Sequence, residues 1–133
     1  MPYYAVIDTN VIVSAMLTKN YASATVQVVT AIFTGKIIPL YNTAILEEYD
    51  EVLHRDKFHL KDETIRKLLT VIQNLGLEVQ PLSTGKFLPD MDDLIFYETA
   101  ETGNAFLVTG NIKHFPDVEF AVSPAEMMRI IEQ

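Results

Sequence analysis

Apolar residues along this chain follow two rhythms: short unbroken runs, and longer stretches in which they recur three or four positions apart. The run Tyr4 to Ile7 is rich in strand formers and predicts a buried strand that stops at Asp8. Helical spacing follows through Val11 to Leu17 and again from Ala22 to Phe33. Gly35 breaks it, and Ile37 to Tyr41 reads as a second buried strand. Asn42 or Thr43 can cap the next helix, on which Ile45, Leu46, Tyr49, Val52 and Leu53 fall on one side and charges on the other. The pattern lapses between Arg55 and Leu60. Ile65, Leu68, Leu69, Ile72 and Leu75 then mark a further amphipathic helix, with Gly76 expected as its C-cap.

A short third strand is expected over Leu77 to Val79, followed by a surface loop, Pro81 to Pro89, with little periodicity. The acids Asp90, Asp92 and Asp93 open a helix that runs to about Thr102 and is ended by Gly103-Asn104. Ala105 to Thr109 and Glu119 to Val122 supply a fourth and a fifth strand, and Pro124 to Ile131 a last helix. Apolar runs without alternation, separated by helices, predict a mostly parallel sheet covered on both faces, in one domain spanning 1–133. Such sheets take ligands at the carboxyl ends of their strands, in the crevice where neighbouring connections depart in opposite directions. If strands one and four are adjacent, that crevice lies at Asp8 and Asn111.

Three acids stand out from this frame. Asp8 ends a buried strand, where a charge is costly unless something compensates it, although it could also cap the following helix with Thr9 and Asn10. Glu48 lies about a quarter-turn from the centre of its helix's apolar face by ~100° counting, whereas Glu47 and Glu51 point away. Asp93 shares a face with Phe96, Tyr97 and Ala100. Capping by an Asp90-x-x-Asp93 pattern accounts for only one of the three acids in that group.

Composition narrows the chemistry. The chain has no cysteine, which excludes thiolate metal sites, disulfides and thiol nucleophiles together. Converging carboxylates without Cys or paired His suit Mg²⁺ or Mn²⁺ better than zinc. A formal charge of −8 argues against coating a polyanion by bulk electrostatics, but bound cations would reverse the sign locally. Half of the ten basic residues, Arg55, Lys57, Lys61, Arg66 and Lys67, crowd into one stretch that is either a basic rim or a solvated helix face. No run is long and apolar enough to cross a membrane, and the start lacks the features of a secretory signal, so a cytoplasmic protein with no membrane partner is expected.

Four segments together carry a family resemblance: VIDTNVIVS, ILEEYDEVLHRDKF, PDMDDLIFYETA, and FLVTGNIKHFP followed by VSPAEMM. The chain resembles the PIN domains, many of which are metal-dependent ribonucleases and toxin components of bacterial toxin-antitoxin pairs. That resemblance implies a three-layer α/β/α domain with about five strands. It places the family's first three acids on Asp8, Glu48 and Asp93, the residues that helical geometry selects independently. The family's usual fourth acid falls on Asn111, a neutral amide, and Asp117 is the nearest substitute. Asn10 and Thr109 match positions that orient the first acid through hydrogen bonds.

The expectation is RNA phosphodiester hydrolysis, with Asp8, Glu48 and Asp93 as metal ligands, Asn111 beside them, and Lys113, His114, Arg55 and Lys57 available to the substrate. His54 and His59 are expected to be solvated or packed. By the same resemblance, a small antitoxin protein would occupy the acidic cleft, inserting an Arg or Lys, or a neighbouring groove, and the domain would form a homodimer through its helices. Two rivals stand beside this reading. One is a catalytically silent PIN module that binds RNA or a protein. The other is a phosphoacceptor receiver domain, disfavoured because Ser123-Pro124 occupy the place of its expected Lys.

Overall fold

The computed structural model describes residues 1–133 and contains one five-stranded sheet in which every pairing is parallel. The elements run β1 (Tyr3–Ile7), α1 (Thr9–Leu17), α2 (Ala24–Phe33), β2 (Ile37–Tyr41), α3 (Thr43–Leu53), α4 (Asp62–Leu75), β3 (Leu77–Glu78), α5 (Leu94–Thr102), β4 (Phe106–Val108), β5 (Ala121–Val122) and α6 (Pro124–Glu132). Single 3₁₀ turns cover Asp56–Phe58, Met91–Asp93 and Ile112–His114. Their runs are too short for hydrophobic periodicity to reveal, and β5 is shorter than its apolar run suggested.

Strand order is β3-β2-β1-β4-β5, so β1 is central and β4 is its neighbour. From β1 the chain leaves toward β2, whereas from β4 it leaves toward β5. The switch point therefore lies between the carboxyl ends of β1 and β4, as the pattern required. Ala5, Val6 and Ile7 are all buried, which is possible only if both faces of the central strand are covered, the three-layer α/β/α arrangement. Tyr49, Phe96, Phe115, Leu107 and Met127 fill the core around it.

One glycine marks a close approach. Gly76 caps α4 in an extended rather than left-handed conformation. It is needed because a Cβ there would stand 2.4 Å from the Ile72 carbonyl oxygen and 2.5 Å from that of Pro39. At the end of α5 the left-handed residue is Asn104, with φ 51°, a type of residue that tolerates that region.

The end of β2 is fixed by a buried amide. Asn42 accepts from the Ile45 amide at 3.0 Å, capping α3, and donates to the Val79 carbonyl at 3.1 Å and to Thr99 Oγ1 at 2.9 Å. Thr99 in turn donates to the Ile95 carbonyl at 2.7 Å. One side chain thus joins β2, α3, the segment after β3 and α5, with each of its polar atoms satisfied. At the other end of α3, His54 Nε2 meets Asp62 Oδ1 at 2.7 Å and ties that helix to the start of α4.

Asn42→Ala removes the cap and strands the Val79 carbonyl together. The expected loss is about 2 kcal/mol, a fall in Tm of roughly 5 °C in a calorimetric scan. A change under 1 °C would show that the network carries no stability.

Candidate functional site

Asp8 follows β1 at the switch point and is only 5% exposed. It occupies the N-cap position of α1, yet its side chain makes no capping bond. Its Oδ2 instead accepts from Thr109 Oγ1 at 2.8 Å and from Asn10 Nδ2 at 3.2 Å, leaving Oδ1 uncommitted to either. Thr109 stands just past β4 and also accepts from the Asn111 amide at 3.0 Å. Asn10 is held in turn by the Gly110 amide at 3.0 Å, and a Cβ at Gly110 would stand 3.3 Å from the Asn10 oxygen that it binds. The two strand ends therefore grip one carboxylate from both sides.

Glu48 reaches the same place from α3. It is half-buried, while Glu47 and Glu51 are exposed, as the helical angle required. Thr9 Oγ1 donates to Glu48 Oε2 at 3.0 Å. The neighbouring Tyr49 is buried and its hydroxyl donates to the Ile7 carbonyl, anchoring α3 to β1 one residue before Asp8. Burial, with the charges of Asp8 and Glu48 added, pushes that hydroxyl's pKa far above its ordinary range, so it serves only as a proton donor.

The third acid group divides as capping physics demands. Asp90 caps the 3₁₀ turn by accepting from the Asp92 amide at 3.0 Å, and both of these acids are exposed. Asp93 stands at the N-cap of α5 without a capping bond. Its Oδ2 is buried and faces His114 Nδ1 at 3.0 Å, an ion pair when that imidazole is protonated. Burial, then the charge of Asp8, raise the Asp93 carboxyl to about 6 against the pull of His114. Burial also raises Asp8, offset in part by its bond from Thr109.

Asp8, Glu48, Asp93, Asn10, Arg55 and His114 share one open pocket of about 400 Å³ with Thr9, Val13, Ser14, Val52 and Phe58. The structure leaves other expected residues outside it. Asn111 is half-buried beside the pocket, but only its backbone joins the network. Lys57 and Lys113 are exposed away from the lining, and Asp117 sits in an exposed left-handed turn. Of the basic cluster, Arg66 pairs with Asp62 and Lys67 with Glu63 one turn away along α4, so these two belong to a solvated helix face. Thr9 as the holder of Glu48, Tyr49 as the anchor of α3, and Phe58 were not anticipated. A hydroxyl directly after a buried strand-end acid was the available signal for Thr9.

The carboxylate donor set is hard oxygen, and Asp8 has one oxygen outside the bonds from Thr109 and Asn10, so by chemistry the residues fit a divalent cation such as Mg²⁺ or Mn²⁺. In the side-chain positions seen, no three acidic or histidine groups are gathered closely enough to grip one. Engagement of an ion therefore requires side-chain adjustment within the pocket. A family model described as PIN domain matches residues 4–113, a span containing all three acids, and no curated protein matches the chain.

Asp93 supplies a pH-dependent stability. Its carboxyl titrates near 6 folded and near 3.8 unfolded, so the cost of its charge is fully present above pH 6 and disappears as pH falls toward 4. Without divalent ions, Asp93→Asn is expected to raise Tm at pH 8 by about 3 °C, roughly 1 kcal/mol after allowing for water at the pocket mouth. That gain should vanish by pH 4. A variant less stable at pH 8 than at pH 4, relative to wild type, would contradict it.

Proposed function

The chain belongs to the PIN-domain family, and from that membership we propose that it hydrolyses RNA phosphodiesters with Mg²⁺ or Mn²⁺ held by Asp8, Glu48 and Asp93. PIN domains are nuclease-type folds that generally depend on divalent metal ions. The observation that carries the reading is a buried carboxylate, Asp8, facing a half-buried one, Asp93, whose pKa is raised by burial and by the Asp8 charge even with His114 against it. Retaining such a group is unfavourable unless a cation or ligand compensates it in the working state.

A divalent ion in this pocket would supply Lewis acidity and a more acidic water. The chain's own residues do the rest. Thr109 and Asn10 fix Asp8 through one oxygen, so that the other remains available. Thr9 does the same for Glu48. Arg55 lines the pocket and offers a guanidinium to a phosphate, its exposed pairing with Glu51 at 3.3 Å being weak enough to exchange. His114 is held at Asp93 and is freed for a phosphate oxygen when Asp93 is otherwise compensated.

We further propose, from the resemblance of the whole motif set, that the protein is the toxin of a toxin-antitoxin pair and acts as a cytoplasmic homodimer. An antitoxin Arg or Lys entering the pocket would neutralise the same carboxylates. No helix is long and apolar enough to cross a membrane. The competing reading is a silent PIN module that binds RNA without cutting it. It is favoured by the neutral amide at Asn111 and by the ungathered state of the three acids.

Incubation of a mixed RNA pool with wild type and with Asp8→Asn in Mn²⁺ separates the two. The nuclease reading expects cleavage by wild type and a loss on the order of a hundredfold or more in the variant. Equal cleavage by both would mean a contaminating enzyme, and retention of RNA without cleavage by wild type would establish the silent module.

A further inference from the structure

Two apolar side chains of the acidic pocket, Val52 and Phe58, stand outside the hydrophobic core. Val52 is 8% exposed and still does not join the main cluster, and Phe58 is half-buried without packing on it. An aromatic ring that adds nothing to the core, yet lines a charged pocket, has no evident structural purpose.

Its mounting is firm. Phe58 ends the 3₁₀ turn Asp56–Phe58, with its amide bonded to the Arg55 carbonyl at 3.0 Å, and His59 follows with φ 53°, turning the chain sharply away. The same few residues bring positive charge. Lys57 Nζ lies 5.2 Å from the centre of the Phe58 ring, and Arg55 lines the pocket. A ring that carries Lys57 over one face and shares a pocket of about 400 Å³ with Arg55 and three carboxylates has the chemistry of a nucleotide site.

We infer that Phe58 is the stacking platform for the base adjoining the scissile phosphate, so that the substrate must present an unpaired nucleotide there. This rests on the nuclease reading. A base within a duplex has both faces covered by its neighbours and cannot lie on the ring without being extruded. The site therefore selects for single-stranded segments through Phe58 itself, while Arg55 and Lys57 act on phosphates irrespective of sequence.

The chain has no tryptophan, so Phe58→Trp places a single indole at the platform. Titration of that variant in Mg²⁺ with a single-stranded phosphorothioate RNA decamer should quench its fluorescence, whereas a blunt RNA duplex of the same length should not. Phe58→Ala should weaken binding of the single strand by roughly five- to a hundredfold, and Phe58→Leu, which keeps apolar bulk without a π face, should not restore it. Since Phe58 is outside the core, all three variants are expected to melt close to wild type.

An unquenched indole, or rescue by Leu, overturns the platform, and if wild type still cuts RNA it does so alone. Quenching by the single strand with no cleavage by wild type supports the platform and overturns the nuclease reading on which its scissile position rests. Neither quenching nor cleavage overturns both.

Discussion

The structure is organised around a carboxylate that has been taken out of water without being neutralised. Asp8 ends the central strand of a sheet covered on both faces, and Asp93 approaches it from the start of α5. Two negative groups under partial burial repel one another, and the shift of Asp93 to about 6 records that repulsion together with the loss of solvent. The surrounding groups are arranged to hold these charges in place. Thr109 and Asn10 fix one oxygen of Asp8, and His114 stands against Asp93. None of them removes the charge.

A comparison inside the same sheet shows that this arrangement is particular to the site. Asn42 occupies the equivalent place at the end of β2, and it too is buried. There the residue is a neutral amide, every polar atom has a partner, and the product is a capped helix and a joined set of elements. At the end of β1 the residue is an acid, its capping capacity is unused, and one oxygen is free of the bonds that fix the other. The fold thus has one strand end built for stability and another for ligand chemistry. The two cooperate, because Asn42 caps the helix that delivers Glu48.

Much of this could be read before any coordinates. Unbroken apolar runs pointed to the parallel sheet, which follows from burial, whereas the switch point at Asp8 depended on β1 and β4 being neighbours, which only the strand order supplies. The inward angle of Glu48 and the split between Asp90 as a cap and Asp93 as an uncommitted acid follow from helix geometry, and both appear in the structure. Contacts between distant segments were not legible. Nothing local in the chain reveals that Thr9 would bond Glu48, thirty-nine residues on, or that the Tyr49 hydroxyl would find the Ile7 carbonyl. The basic stretch misled in part for the same reason. Clustering along the chain does not say which charges are already spent on partners one turn away, as those of Arg66 and Lys67 are. Phe58 lay where periodicity lapsed, so no face could be assigned to it.

An acidic protein that handles a polyanion must solve an attraction problem, and the placement of its charges constrains the solution. With a net charge of −8 and two of its clustered cations paired along α4, the molecule offers no broad basic surface on which a phosphate backbone could settle. What remains is Arg55 in the pocket, paired with Glu51, and Lys57 over the Phe58 ring outside the lining, against three acids. Two such cations give no net pull on a polyanion, so affinity must come from inserted divalent charge and from contacts indifferent to charge. The carboxylates of Asp8 and Asp93 serve the first need, and a ring outside the core serves the second. Binding built this way is confined to the one place where both meet, which makes occupancy of the pocket conditional on the ion that its chemistry requires.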